Sequence, residues 1–464
     1  MGYVIYDVET TGLRRGFDQI LQFAAVLTDE TLTVLDRFEA RCRLSPHILP
    51  APQALQVTQA DIRDLVREDL PSHYAMVCGI HERLRAWGPA IYLGFNSIRF
   101  DEEFLRQAFY QCLLPVYLTN TGGSTRADVL TLARTATALR PDVLSPHRDP
   151  DGRAAFRLAD LARANGIAAP NAHVASGDVD ITLALCRRLV TGAPDLWSRF
   201  VQFSQKSVAA AFLQDENAFL MYQGFGDYGR PRLLTRIGQH DGQANRQYCL
   251  DLTADPDHLE ELDDDALTAL FRERDGPLVV VKTNAAPLLY PIYDLPDGHF
   301  IGLPVERADQ HVDALRDRPN FMRRMAAAAR RAEREYPPSP HVEHKLYGHP
   351  FPCAGDEELM RTFHKQTWPE RAKVAGQFQD PRYRLLARRL VYFERPDLLP
   401  PQIQMRFAEA LYQRLTTTDP DCPWLTLPAA KAQLDALDGA SGDERCSAYA
   451  AYLNERTELS AAQS

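Results

Sequence analysis

Two acids, Asp7 and Glu9, stand two residues apart at the end of an apolar run, in Y-D-V-E-T-T-G. The run leading into them predicts a buried β-strand over Val4–Glu9. Side chains alternate along a strand, so both carboxylates project from one face. Two carboxylates on one face repel each other, and no cation lies beside them in sequence. A bound divalent metal is the simplest partner for such a pair. This strand therefore predicts chemistry as well as a sheet.

Two further blocks carry the same chemistry. Asp101 (G-F-N-S-I-R-F-D) follows an apolar strand, Ala90–Phe95, and opens a helix that begins D-E-E-F-L. Taken alone it is explained by helix capping, since acids favour the first turn. Asp178 (N-A-H-V-A-S-G-D) also sits at a helix start, yet it shares a face with Ile181 and Leu185, which turns it inward. An inward carboxylate needs a partner, and a metal shared with Asp7 provides one. Asp180 is rotated away from that face. His173 lies in the preceding loop, where the ordinary reading is a satisfied loop histidine. Its near-neutral pKa also suits a general base that takes a proton from water. Together, these carboxylates can hold two divalent ions roughly 3.5–4 Å apart, the spacing that clamps both oxygens of a phosphodiester displacement. Oxygen ligands without cysteine favour Mg²⁺, with Mn²⁺ as a substitute, over zinc.

The chain has 464 residues, too many for one ordinary core. Residues 1–195 pattern as strands in a meander (Tyr3–Asp7, Gln22–Thr28, Thr33–Arg41) followed by alternating helices and strands. Helices are expected within Leu65–Trp87 and over Asp101–Cys112, Ala127–Leu139 and Asp178–Val190. That order predicts an α/β fold with a mixed sheet covered by helices. Residues 196–340 hold short strand candidates punctuated by Gly, Asp and Pro, with Pro287 and Pro291 marking an edge, and predict a small β-rich domain. Residues 341–464 carry apolar residues at three- and four-residue spacing and predict a C-terminal helical domain. The eight cysteines are scattered singly without C-x-x-C, so a reducing compartment fits. The first strand begins too early for a signal peptide and no run is long enough to span a membrane, so a cytoplasmic protein is expected. The net charge of −10 argues against unselective nucleic-acid binding but not against a local basic groove.

The joint pattern D-x-E, N-x-x-R-F-D and H-x4-D resembles the DEDDh 3′→5′ exonucleases, and among them the bacterial exodeoxyribonuclease I family. Q-F-A-A at Gln22–Ala25, A-L-R-P at Ala138–Pro141, F-R-L at Phe156–Leu158 and A-N-G-I at Ala164–Ile167 extend the resemblance. Fainter matches continue through K-T-N-A-A-P-L-L and R-L-V-Y-F-E-R-P. The resemblance implies a ribonuclease H-like exonuclease domain, an SH3-like β domain and a helical domain around a groove for single-stranded DNA. It implies Mg²⁺-dependent release of mononucleotides from a 3′ end, in DNA repair or recombination. Asp7, Glu9, Asp101 and Asp178 fall on metal-binding positions and His173 on the general base. Glu9 would also face the terminal nucleotide. Arg157 falls on a substrate-contacting position, and Arg106, Tyr117, Arg134 and Arg140 on positions along the DNA path. Arginines on such helices are ordinarily solvated surface; what favours a role is their number beside an acidic pocket that phosphates must enter. A monomer that contacts the acidic C-terminal tail of a single-stranded DNA-binding protein is also implied.

Two features depart from that family's pattern: E-T-T-G lacks an aromatic after the first Thr, and Leu118–Thr125 lacks the aromatics common in that loop. His341, His344 and His349 have no matching carboxylates or cysteines and read as surface histidines. Two other functions fit the motifs. One is a trimming exonuclease for RNA or mixed 3′ ends. The other is a non-cleaving single-strand binding protein, against which the five catalytic-type residues argue.

Overall fold

The computed structural model describes residues 1–169, 174–225, 228–295, 302–334, 338–437 and 443–462. His173 lies outside the described residues.

The first sheet has five strands: β1 (Tyr3–Thr10), β2 (Ile20–Thr28), β3 (Val34–Arg41), β4 (Ile91–Gly94) and β5 (Thr125–Asp128). Their order is β3-β2-β1-β4-β5. β1 to β3 form the antiparallel meander, while β4 and β5 run parallel to β1, so the sheet is mixed as expected. The short α1 (Pro52–Thr58) and α2 (Ile62–Leu65) precede α3 (His73–Trp87), which Ser72 caps by accepting the Ala75 N–H. The helix expected within Leu65–Trp87 is thus α3. α4 (Asp101–Gln111) opens with three acids, which suit a helix N-terminus. The helix expected from Ala127 is in fact β5 followed by α5 (Val129–Leu139). A two-stranded hairpin, β6 (His147–Arg148) and β7 (Ala154–Ala155), leads to α6 (Leu158–Ala164) and then to α7 (Ala175–Gly192).

β1 is central and buried on both faces. Tyr3 and Ile5 enter a core shared with α5 and α7, whereas Val4, Tyr6 and Val8 enter another core shared with α3 and α4. Asp7 and Glu9 continue the Tyr3–Ile5 face, where the apolar core gives way to polar groups. A one-residue slip would drive both acids into the opposite core, so the register is strongly specified.

α8 (Pro194–Phe203) and α9 (Lys206–Asp215) lead to a second, antiparallel sheet. It comprises β8 (Phe219–Phe225), β9 (Tyr228–Gln239), β10 (Arg246–Asp251), β11 (Leu278–Lys282) and β12 (Leu289–Pro291), in the order β11-β10-β9-β8-β12. β12, with its proline, is an edge strand, as the sequence indicated. α10 (Pro256–Glu261), α11 (Asp264–Arg272), α12 (Val305–Arg316) and α13 (Pro319–Ala332) accompany this sheet; Leu267, Val312 and Met325 join its core. Phe219, Leu234 and Val281 belong to the same core as Tyr3 and Ile5, so the two sheets are packed as one body.

The C-terminal part is helical: α14 (Ala354–Lys365), α15 (Trp368–Val374), α16 (Pro381–Glu394), α17 (Pro401–Thr416), α18 (Leu427–Asp435) and α19 (Glu444–Ala462). These helices do not close on themselves alone. Phe363, Leu386 and Val391 join the core beneath Val4 and Tyr6, and Leu415, Leu427 and Tyr449 pack with Leu21, Leu44 and Ile62. Buried Glu343 adds a polar tie, paired with Arg389 of α16 at 2.5 Å and with Arg414 of α17 at 3.7 Å. Among the described residues no helix is long and apolar enough to cross a membrane.

Candidate active site

β1 pairs with β4 only through Tyr3, Val4 and Ile5, so its later residues leave that neighbour behind. Asp101 occupies the gap: its Oδ1 accepts the Val8 N–H at 3.0 Å. The Asp101 carboxylate thereby takes the place of a ladder acceptor and is fixed on the backbone between the residues that carry the two strand acids. Gly94, where β4 ends, is required by close approach, because a Cβ there would meet Ser97 Cβ at 2.5 Å and the Tyr6 carbonyl at 2.9 Å.

From the other side, α7 brings Asp178 over β1. One oxygen each from Asp7, Glu9 and Asp178 lies within 4.8 Å of the others, and all three residues are half-buried. Asp101 stands outside this trio and is only 3 % exposed. Its charge nevertheless acts on both Asp7 and Glu9. Asp180, one step further along α7, points to solvent and pairs with Arg37 at 2.8 Å.

The electrostatics match a site built for cations. Burial, then Asp101, Glu9 and Asp178, pushes the Asp7 carboxyl well above its usual range. Burial, Asp178 and Asp101 raise Glu9 to about 8. Burial raises Asp101 to about 8 against the opposing pull of its backbone hydrogen bonds. Hard oxygen donors whose charges are penalised by one another suit a divalent cation.

Because the folded pKa values of Glu9 and Asp101 lie near 8, the metal-free cluster holds protons at neutral pH. Raised folded values mean that its contribution to stability is present below pH ~4 and lost as pH rises through 8. Cation binding displaces those protons. If an ion binds this cluster, Mn²⁺ affinity measured by calorimetry is expected to rise with pH between pH 6 and 8, by about tenfold per pH unit for each proton displaced. The thermal stabilisation by Mn²⁺ should be larger at pH 8 than at pH 6; a pH-independent affinity would contradict this account.

Beside the site lies a charged core that sequence reasoning missed. Glu102, 1 % exposed, accepts from Thr119 Oγ1 at 2.6 Å, Tyr6 OH at 3.0 Å and Arg106 Nε at 3.0 Å, and pairs with Arg126 at 2.8 Å. Burial alone would raise its pKa, but Arg126 and Arg106 pull it below the usual value. Neighbouring acids in one sequence thus have opposite proton loads. The cue was the E-E that follows Asp101, but the arginines that answer Glu102 come from α4 and β5.

The residues expected along a nucleic-acid path differ in their surroundings. Arg106 is buried, donates to Asn120 at 3.0 Å as well as to Glu102, and lies 4.9 Å over the Tyr117 ring. Arg134 is also buried, 5.6 Å from the Phe156 ring. The ordinary expectation of solvated side chains fails for both, because each found a ring or an acid inside. Arg140 donates to Asp195 at 2.5 Å, and Arg157 is exposed at the start of α6. Tyr117 is half-buried, with its ring 5.9 Å from that of Phe351, a 76 % exposed aromatic that the sequence did not single out. Phe109, Tyr110 and Phe156 are core residues.

Comparison with known proteins fits this geometry. The exonuclease (RNase_T) family model matches residues 4–186. Exodeoxyribonuclease I of Escherichia coli strain K12 is 28 % identical over 361 residues, covering 74 % of this chain and 75 % of that protein. Its Haemophilus influenzae counterpart is 29 % identical over 363 residues, covering 74 % and 76 %. The crystal structure of E. coli exonuclease I with a dA16 oligonucleotide superposes with a TM-score of 0.88 at 24 % identity, covering 98 % of this chain and 99 % of that one. The matched segments and shared fold identify an exonuclease domain over residues 4–186, in a 3′→5′ exonuclease of the exodeoxyribonuclease I type.

Proposed function

We propose that this protein hydrolyses single-stranded DNA from its 3′ end to mononucleotides, using two Mg²⁺ ions, in DNA repair or recombination. The observation that carries the metal dependence is the convergence of Asp7, Glu9 and Asp178 oxygens within 4.8 Å, with Asp101 anchored beside them on the Val8 N–H. Those four carboxylates are the ligands. When bound, the ions supply positive charge at the scissile phosphate and lower the pKa of water. His173 accepts the proton of the attacking water, and Glu9 also faces the terminal nucleotide. Arg157 contacts the substrate; Tyr117, with Arg106 behind its ring, and Arg134 and Arg140 lie along the strand's path. The preference for DNA is supported by the names of the similar proteins and by the oligonucleotide bound to the E. coli enzyme. In this reading, segments 1–195, 196–340 and 341–464 surround the strand, and a basic pocket receives the acidic tail of a single-stranded DNA-binding protein.

The test uses 5′-labelled single-stranded DNA and a matched RNA in Mg²⁺. Shortening of the DNA from its 3′ end with release of mononucleotides, abolished by EDTA, is expected. Faster degradation of the RNA would reassign the substrate. Intact DNA, or cleavage indifferent to EDTA, would overturn the proposal.

A further inference from the structure

We propose that Asp128 is a positioning residue that holds the turn carrying Asp101 in its metal-binding geometry; the inference rests on the exonuclease reading above. Asp128 is the last residue of β5 and is 6 % exposed. Its Oδ1 accepts the Leu130 N–H at 3.0 Å, which caps α5. The same oxygen accepts the Asn96 N–H at 2.8 Å, and Oδ2 accepts the Ile98 N–H at 3.3 Å. Capping α5 needs only the first of these bonds. The other two reach across to the segment between β4 and α4.

That segment turns the chain from β4 into α4. Asn96 has a φ of 63°, in the left-handed region, which asparagine tolerates better than other non-glycine residues. Ser97, between the two clamped amides, offers its carbonyl to the N–H groups of Phe100 at 3.2 Å and Glu102 at 2.9 Å. Asp101 is fixed between those two residues. The chain of bonds therefore runs from Asp128 through the turn to the start of α4, and ends where Asp101 meets Val8. A carboxylate is suited to this task because it offers two oxygens to three donors, which a serine cannot do.

The variants separate the two roles of Asp128. Asp128→Ser keeps an oxygen for Leu130 and so keeps the cap, but cannot span to Asn96 and Ile98. Asp128→Asn keeps one oxygen and replaces the other with a donor facing the Ile98 N–H. For Asp128→Ser, kcat on saturating single-stranded DNA should fall about 30- to 100-fold with KM within about twofold, the effect of misplacing one ligand by a fraction of an ångström. Mn²⁺ affinity, measured by calorimetry without substrate, should fall about tenfold. Asp128→Asn should lie between Asp128→Ser and the parent in both measurements, and both variants should keep the parent's circular dichroism and cooperative thermal unfolding. Parent-like Mn²⁺ affinity in Asp128→Ser would overturn the proposal, as would losses in both variants that simply follow their melting temperatures. Failure of the parent to degrade DNA would sink the exonuclease reading instead, and the Mn²⁺ affinities would still decide the role of Asp128.

Discussion

Asp7→Asn should lower turnover on single-stranded DNA at saturating Mg²⁺ by about four orders of magnitude, which corresponds to roughly 5 kcal/mol of lost transition-state stabilisation. The amide keeps the size of the side chain but removes a charged oxygen from the point where Asp7, Glu9 and Asp178 converge. The same substitution should raise the melting temperature of the metal-free protein. Burial and three neighbouring acids all disfavour the Asp7 charge, and the variant removes the cost of neutralising that carboxyl on folding. Opposite signs for activity and stability are the signature of a residue kept for chemistry. A variant that retains a tenth of the activity, or that melts well below the parent, would show that Asp7 serves the fold instead.

Glu102→Ala should produce the largest loss of stability among the acids near the site, about 3–5 kcal/mol. It strips the shared partner from Arg106 and Arg126, both 7 % exposed, and leaves two guanidinium charges in the interior. It also leaves the hydroxyls of Tyr6 and Thr119 without their acceptor. Glu103→Ala is the control: its carboxylate is 22 % exposed and sits 3.7 Å from Arg106, so its loss should cost under about 1 kcal/mol. Urea unfolding of the two variants beside the parent measures the difference. Equal midpoints for the two alanine variants would mean that the arginines find other partners.

The parts of the site that were legible in the sequence are those set by local geometry. Strand alternation puts Asp7 and Glu9 on one face whatever surrounds them, and helical spacing puts Asp178 with Ile181 and Leu185. What defeated the pattern was long-range compensation of charge. β5 is only four residues, T-R-A-D, and both of its buried charged side chains are answered from elsewhere: Arg126 by Glu102, and Asp128 by amides of the β4–α4 turn. With such residues inside, it has no apolar signature, and the helical pattern that begins at Ala127 overlaps its end. Arg106 and Arg134 went the same way, since no periodicity announces that an arginine will be buried on an acid or a ring. The C-terminal helices were visible from their spacing. Their packing partners were not, because an apolar stripe records that a face is covered and not by what.

Such cover limits how the strand bearing Asp7 and Glu9 can be reused. Tyr3 and Ile5 share a core with residues of the second sheet, and Val4 and Tyr6 share theirs with α14 and α16. The strand that carries Asp7 is thus upholstered on both sides by chain made after it, some of it more than three hundred residues later. A gene fragment ending near residue 195 would encode every proposed ligand yet strip Tyr74 and Tyr110 of the Trp368 and Tyr383 rings packed against them. Transplanting this nuclease into a fusion, or inheriting it as a module, requires bringing its cover along or supplying another of the same shape.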